Sequence, residues 1–276
     1  MTGARHFPIL TWHSANVTSH SYESNDLVAF ADDLQTLDRL GWTILPLDDA
    51  LNRLAGDSLP AKSVVLTCDD GCLLDWRDFD HPSLGRQGNL RRILQEFQAS
   101  IGAGSRHRLH LSSFVIASPE ARAELDTTDY MGLGLWPDDW WREANHSGLF
   151  SIESHSWDHN HGSLAKTVQK DNRRGDFRWI DSLEECRIEI DQASDYIATT
   201  AGRRPRFFAY PYGQASDYLR QEYLPRFGPD MGLRAALGCE PEPVSRHSDP
   251  WHLPRYICGR DWRSSDGFER LLSGLG

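Results

Sequence analysis

The sequence predicts an α/β fold, a (β/α) barrel of about seven parallel strands in one domain. Three observations carry the prediction. Apolar runs of strand length alternate with segments of helical periodicity, the pattern of a parallel sheet with crossover helices. The run Ser63-Val64-Val65-Leu66-Thr67-Cys68 is almost wholly apolar, as a strand covered on both faces must be. A chain of 276 residues also has the length at which such a barrel is usual as a single unit.

The elements follow in order. Residues 7–12 form a short apolar run led by Pro8, a first strand. Ser24-Asn25-Asp26 offers cap chemistry to a helix whose Leu27, Phe30, Leu34 and Leu37 recur at helical spacing, and Gly41 stands where it should stop. A strand over 42–47, a short helix over 49–54 and a turn over 56–60 lead into the buried strand at 63–68. Further strands are expected at 109–116, 149–153, 206–210, 234–237 and 253–258. A Trp-rich helix is expected over 136–145, stopping at Gly148. The clearest helix spans about 182–200, where Leu183, Cys186, Ile190, Ala193 and Ile197 make one stripe. Two stretches break the alternation and read as surface insertions, at about 75–108 and 165–179. No repeat or Pro/Gly/Ser-rich linker divides the chain.

Composition excludes several classes. A net charge of −11 and the lack of any Lys/Arg cluster argue against a nucleic-acid partner. No window approaches the roughly 18 apolar residues of a membrane span. The amino terminus lacks the apolar core of a secretory signal. Five scattered cysteines suit a reducing compartment, so a cytoplasmic protein is expected.

Three motifs carry chemistry. Asp69-Asp70-Gly71 ends the buried strand, where barrels place catalytic groups; one carboxylate there binds a cation while its neighbour takes a proton from the water that the cation activates. By itself the tripeptide more often marks a polar turn. His155-Ser156-Trp157-Asp158-His159 also follows a strand. Two imidazoles four residues apart fall on one face of a helical turn and can share a metal. With Asp70 they make a three-ligand set that leaves one position open for water, as catalytic zinc sites do. Asp158 and His161 lie close by and could as easily be exposed. The third motif, Phe208-Ala209-Tyr210-Pro211-Tyr212-Gly213, is an aromatic strand and turn able to hold a main-chain N–H at a fixed angle.

In that order, Leu66-Thr67-Cys68-Asp69-Asp70-Gly71, Ser154-His155-Ser156-Trp157-Asp158-His159 and Phe208-Ala209-Tyr210-Pro211-Tyr212-Gly213 resemble the polysaccharide deacetylases, the NodB-homology proteins of carbohydrate esterase family four. The resemblance runs from Pro8-Ile9-Leu10-Thr11-Trp12-His13 to Leu253-Pro254-Arg255-Tyr256, and so covers roughly residues 7 to 272. It implies a distorted barrel, usually of seven strands, that removes N- or O-acetyl groups from sugars. Asp70, His155 and His159 would be the metal ligands, Asp69 the catalytic base and the Tyr212 main-chain N–H an oxyanion donor. Zinc is the default ion, although the ligand set suits other first-row divalent metals.

The chain departs from the family pattern in three places. Cys68 stands where Phe is common. Ala209 replaces the arginine that usually pairs with the base carboxylate, and Arg255 is the candidate substitute. The late Leu-x-His that often supplies the general acid is missing. His13 is the first candidate for that role, and His247 and His252 are weaker ones.

These readings converge on a deacetylase of an acetylated amino sugar, with nucleotide- and lipid-linked forms as candidates, in surface-polysaccharide (O-antigen or capsule) assembly. Two other readings use the same residues: a carbohydrate-binding pseudoenzyme, and a C–N amidase on a small amide. The tryptophans, among them Trp136, Trp140, Trp141, Trp157, Trp179 and Trp262, suit sugar stacking and core packing equally.

Overall fold

The computed structural model describes residues 5–168 and 175–276. Eight parallel strands form the main sheet: β1 (Ile9–Trp12), β2 (Thr43–Ile44), β3 (Ser63–Cys68), β4 (Leu111–Val115), β5 (Phe150–Ser154), β6 (Phe207–Ala209), β7 (Ala235–Leu237) and β8 (Tyr256–Ile257). Seven run side by side in the order β7-β6-β5-β4-β3-β1-β8, and β2 pairs with β3 off that path. This curled sheet is the distorted seven-strand (β/α) barrel that the sequence predicts. Every residue of β3 is buried, because strands flank it and helices cover it.

One segment joins the two edges of the sheet. Leu253 bridges Leu237 of β7, donating to Ala236 O at 2.8 Å and accepting from Gly238 N at 2.8 Å. Three residues later, Tyr256 and Ile257 lie in register with Leu10 and Thr11 of β1. Arg255 therefore sits in the short crossing between the edges, and its side chain is wholly buried.

The helices pack outside. In α1 (Asp26–Arg39), Asn25 Oδ1 accepts from Leu27 N at 3.0 Å and Val28 N at 3.3 Å, the cap that the sequence suggests. Gly41 has φ +79°, as a left-handed stop requires. α2 is Leu47–Ala55 and α3 is Leu90–Ile101. Residues 75–108 are thus not a surface excursion. They hold a small hairpin (Phe79–His81 with Gly85–Gln87) and then α3, whose Leu90, Leu94 and Phe97 repeat at i, i+4 and i+7 and join the core. Of the second expected insertion, Ala165–Val168 is a short helix and Phe177–Trp179 a single 3-10 turn, while residues 169–174 lie outside the described residues.

Next come α4 (Pro119–Asp129), started by the Ser118 cap, and α5 (Trp141–His146). The Trp-rich helix is shorter than expected: Trp136 to Trp140 precede it, and Trp140 and Trp141 are fully buried. The long helix α6 covers residues 183–201 and contains a π-helical stretch, Arg187–Gln192. Its buried stripe is Cys186, Glu189, Ile190, Ala193 and Ile197, and Leu183 is exposed. The chain ends with α7 (Leu224–Met231) and α8 (Ser265–Leu275). No helix of the described residues is long and apolar enough to cross a membrane.

Asp33, on α1, is an acid in the core. It accepts from Trp12 Nε1 at 3.2 Å, Trp262 Nε1 at 3.1 Å and the Tyr22 hydroxyl. Burial outweighs these donors and pushes its carboxyl up to about 7. A folded pKa above the unfolded 3.8 means that the protonated acid is the stabilising form. Its contribution is full below about pH 4 and is lost as pH rises through about 7. Asp33→Asn should therefore gain stability relative to wild type between those limits, by up to about 4 kcal/mol. Urea unfolding of both proteins at pH 4, 5.5 and 8 checks this; a stability difference that does not change with pH contradicts it.

Candidate active site at the carboxyl ends of the strands

The carboxyl ends of the strands open onto a cavity of about 470 Å3, within the size range of small-molecule sites. His13 follows β1, Asp69 and Asp70 follow β3, His155 follows β5, Tyr212 follows β6 and Cys239 follows β7, and all six line it. Segments far apart in sequence meet because parallel strands all deliver their ends to one face.

Asp69 and Asp70 part company at the end of β3. Asp70 has φ +74° and Gly71 φ +76°. A Cβ on Gly71 would lie 2.5 Å from Val115 Cγ1, so only glycine lets the chain turn this close to β4. Asp69 points inward, 4% exposed, into a two-pronged ion pair. Arg255 Nη1 lies 2.7 Å from Oδ1 and Nη2 2.9 Å from Oδ2, while Arg255 Nε donates to Gly238 O at 2.8 Å. Burial by itself would raise the Asp69 pKa. The Arg255 charge, then His155, outweighs burial and holds the carboxyl at about 2, so Asp69 stays an anion.

Asp70 faces the two histidines. Its Oδ1 is 3.6 Å from His155 Nε2 and 3.8 Å from His159 Nε2, and one ligand atom from each residue lies within 4.8 Å of the other two. These distances are too long for hydrogen bonds. They are close to the roughly 3.4 Å edge of a tetrahedron with bonds near 2.1 Å. His155 Nδ1 lies 2.8 Å from Ala209 O and donates to it, which leaves the Nε2 lone pair facing Asp70. Burial first, then the neighbouring imidazoles His155, His161 and His13, holds His159 far below the usual histidine range, in the neutral form that a metal needs. The residues therefore fit a divalent cation.

The histidine pair does not sit on a helical turn, as its spacing suggests. Ser156 (φ +70°), His159 (φ +66°) and Asn160 (φ +44°) are left-handed, and the irregular turn brings the two rings to 4.8 Å between centroids. Of eight described non-glycine residues with positive φ, five are Asp70, Ser156, His159, Asn160 and Tyr212. Each such residue costs on the order of 1 to 3 kcal/mol, so backbone strain is concentrated around this cavity. At Tyr212 (φ +57°) the Pro211–Gly213 turn tips out of helical geometry. A Cβ on Gly213 would meet Cys239 Cβ at 2.5 Å, so this turn too is locked against a neighbouring strand end.

His13 donates its backbone N–H to Asp26 Oδ2 at 2.8 Å, and its side chain lines the cavity. His161 and Trp136 line the cavity as well, His161 Nδ1 standing 3.7 Å from Asp129 Oδ2. Asp158 is 3% exposed and paired with Lys166, so the exposed reading of that residue fails. His252 stands away from the cavity lining, against Tyr210 and 3.3 Å from Glu240 Oε2. His247 is also outside the lining. Trp262 is buried on Asp33 and belongs to the core.

Sequence reasoning missed two buried acids behind the cavity. Asp75 accepts from Ser14 Oγ at 2.5 Å, Ser113 Oγ at 2.6 Å and Cys68 Sγ at 3.4 Å, tying together the ends of β1, β3 and β4; burial raises its carboxyl to about 6. Its signal was an acid between the apolar Leu74 and Trp76. Glu189 is 2% exposed, and its signal was position: it lies three residues after Cys186 and four before Ala193, on the apolar stripe.

A family model described as polysaccharide deacetylase matches residues 56–225. This chain belongs to the polysaccharide deacetylase family. No curated protein matches it in sequence. Among solved structures it is similar to IcaB from Ammonifex degensii (18% identity, TM-score 0.64, covering 98% of this chain and 97% of that one). It is also similar to a de-N-acetylase from Aggregatibacter actinomycetemcomitans (17%, 0.62, 96% and 100%). A third similar structure is the Streptococcus pyogenes deacetylase PplD in complex with acetate (18%, 0.60, 98% and 99%). At these identities the likeness establishes the fold.

Removing Arg255 should leave Asp69 as an unpaired buried charge. Arg255→Met is expected to cost about 3 to 5 kcal/mol of stability, and the double variant Asp69→Asn/Arg255→Met less than Arg255→Met alone. Denaturant unfolding at neutral pH measures both. Additive losses would mean that the pair is not coupled.

Proposed function

We propose that this protein is a metal-dependent hydrolase that removes an acetyl group, N-acetyl in the first instance, from an amino sugar during surface-polysaccharide assembly. The observation that carries the proposal is the pairing of two unlike carboxylates at one cavity floor. Asp69 is clamped and ionised by Arg255, and Asp70 is turned toward two buried imidazoles. Family membership and the similarity to a de-N-acetylase and to a deacetylase in complex with acetate support the same reaction class.

Asp70, His155 and His159 would hold the cation, zinc by default. When bound, the ion supplies Lewis acidity to polarise the acetyl carbonyl and to lower the pKa of water. Asp69 is the general base: an anion 3.9 Å from His155 Nε2, it accepts the proton of the attacking water. Arg255 keeps that carboxylate in one orientation. The Tyr212 main-chain N–H, set by its left-handed conformation, donates to the oxyanion that develops on the former carbonyl. His13, which also lines the cavity, gives a proton to the departing amine, which leaves a free amino sugar and acetate. The substrate is an acetamido sugar borne on a nucleotide, lipid or short oligosaccharide carrier.

Acetate release from chitooligosaccharides, UDP-N-acetylglucosamine and a lipid-linked N-acetylglucosamine tests the reading and ranks the carriers. Asp69→Asn should lower kcat by about 100- to 10,000-fold, the usual worth of a general base, with the metal still bound. Removing the metal with dipicolinate should abolish turnover, and added Zn2+ should restore it. His155→Gln should lose both metal and turnover. Acetate release that survives in the Asp69→Asn variant, or in metal-stripped protein, would refute the assignment.

A further inference from the structure

Glu189 is a buried carboxylate that none of the proposed catalytic steps uses. It lies in the π-helical stretch of α6, beneath the turn that carries both histidines. Such stretches often mark functional positions in helices. Its Oε2 accepts from the backbone N–H of Trp157 at 3.1 Å and of Asp158 at 3.3 Å. The Ser156 hydroxyl also bonds to Glu189, and Ser156 Oγ accepts in turn from His159 N at 2.8 Å. Lys166 closes the group from outside, paired with Asp158 and 3.5 Å from Glu189 Oε1. Asp158 Oδ1 accepts from Asn160 N at 3.0 Å. Thus the four residues after His155 are all tied, directly or through one partner, to a single carboxylate.

The turn needs such a post. Ser156, His159 and Asn160 hold left-handed conformations, which cost backbone energy without glycine, and an irregular turn has no ladder to satisfy its N–H groups. We propose that Glu189, supported by Lys166, is the positioning residue that holds His155 and His159 at ligand spacing. This rests on the metal-site reading of Asp70, His155 and His159. A carboxylate suits the task because one group offers several acceptor sites to convergent donors and carries the charge that draws in Lys166. Glutamine at the same position keeps one acceptor, but its NH2 group faces donors.

The test measures Co2+ binding to the metal-free full-length chain by visible absorption. In parallel, amide hydrogen exchange is followed across residues 155–160 without metal. Glu189→Gln, with a wild-type circular dichroism spectrum, is expected to bind Co2+ about 10- to 100-fold more weakly and with shifted d–d bands. Exchange at 157–159 should accelerate at least about tenfold while the amides of β3 and β4 keep their protection. Wild-type affinity, bands and exchange in that variant overturn the proposal, as does acceleration spread evenly over the sheet. Should Glu189→Gln not fold, Lys166→Met carries the same measurements from an exposed position. A roughly two- to fivefold loss of affinity is then expected, and no loss overturns the proposal. A wild-type chain that binds no Co2+ refutes the metal-site reading instead, and the exchange arm still decides what Glu189 does.

Discussion

The ion pair between Arg255 and Asp69 is the contact on which the rest of the structure turns. Arg255 lies in the short run between Leu253, which bridges β7, and β8, which pairs with β1, so the segment that joins the sheet also delivers a guanidinium to its interior. A buried arginine is costly unless a carboxylate meets it with good geometry. Asp69, at the end of the central β3, does so through both oxygens, and Gly238 O takes the Nε–H. Joining the sheet and ionising Asp69 are consequently one event. On β6, Ala209 stands two residues before Pro211, and its main-chain carbonyl anchors His155 Nδ1.

Around that pair, backbone strain and its compensation share an address. Left-handed residues gather at Asp70, Ser156, His159, Asn160 and Tyr212, and the neighbours that hold them are specific. Gly71 and Gly213 allow contacts with Val115 and Cys239 that any side chain would block. Asp75 and Glu189 spend buried charge on hydroxyls, a thiol and backbone amides behind the cavity. Groups of this kind stabilise a geometry rather than a core: each is expensive to bury, and each is satisfied only in one arrangement.

Electrostatics sorts the groups that face the cavity. Asp69 is held down as an anion by Arg255, and His159 is kept neutral by burial and by its imidazole neighbours. Asp70 is more open than Asp69 and stands between the two histidines. Two imidazoles beside a carboxylate are the donor set that a borderline-soft divalent ion prefers, which is why this corner and not the Asp69 corner fits a cation.

Much was legible from the sequence. Apolar runs and helical stripes are local, so the strands at 63–68 and 149–153 and the helix at 26–39 could be read directly, and the three motifs in order pointed to the family. The segment at 75–108 shows an amphipathic stretch in the sequence, but its charged flanks read as surface, and only the fold packs Leu90, Leu94 and Phe97 into the core. Arg255 could be nominated for Asp69 because a missing arginine needs a replacement, but only the crossing between sheet edges shows how it arrives. Tertiary structure also decided the form of the histidine turn and the parts played by Asp75 and Glu189. Spacing in a chain constrains which residues lie near each other along one element. Which donors converge on a buried carboxylate depends on segments more than thirty residues apart, and no local rule encodes that.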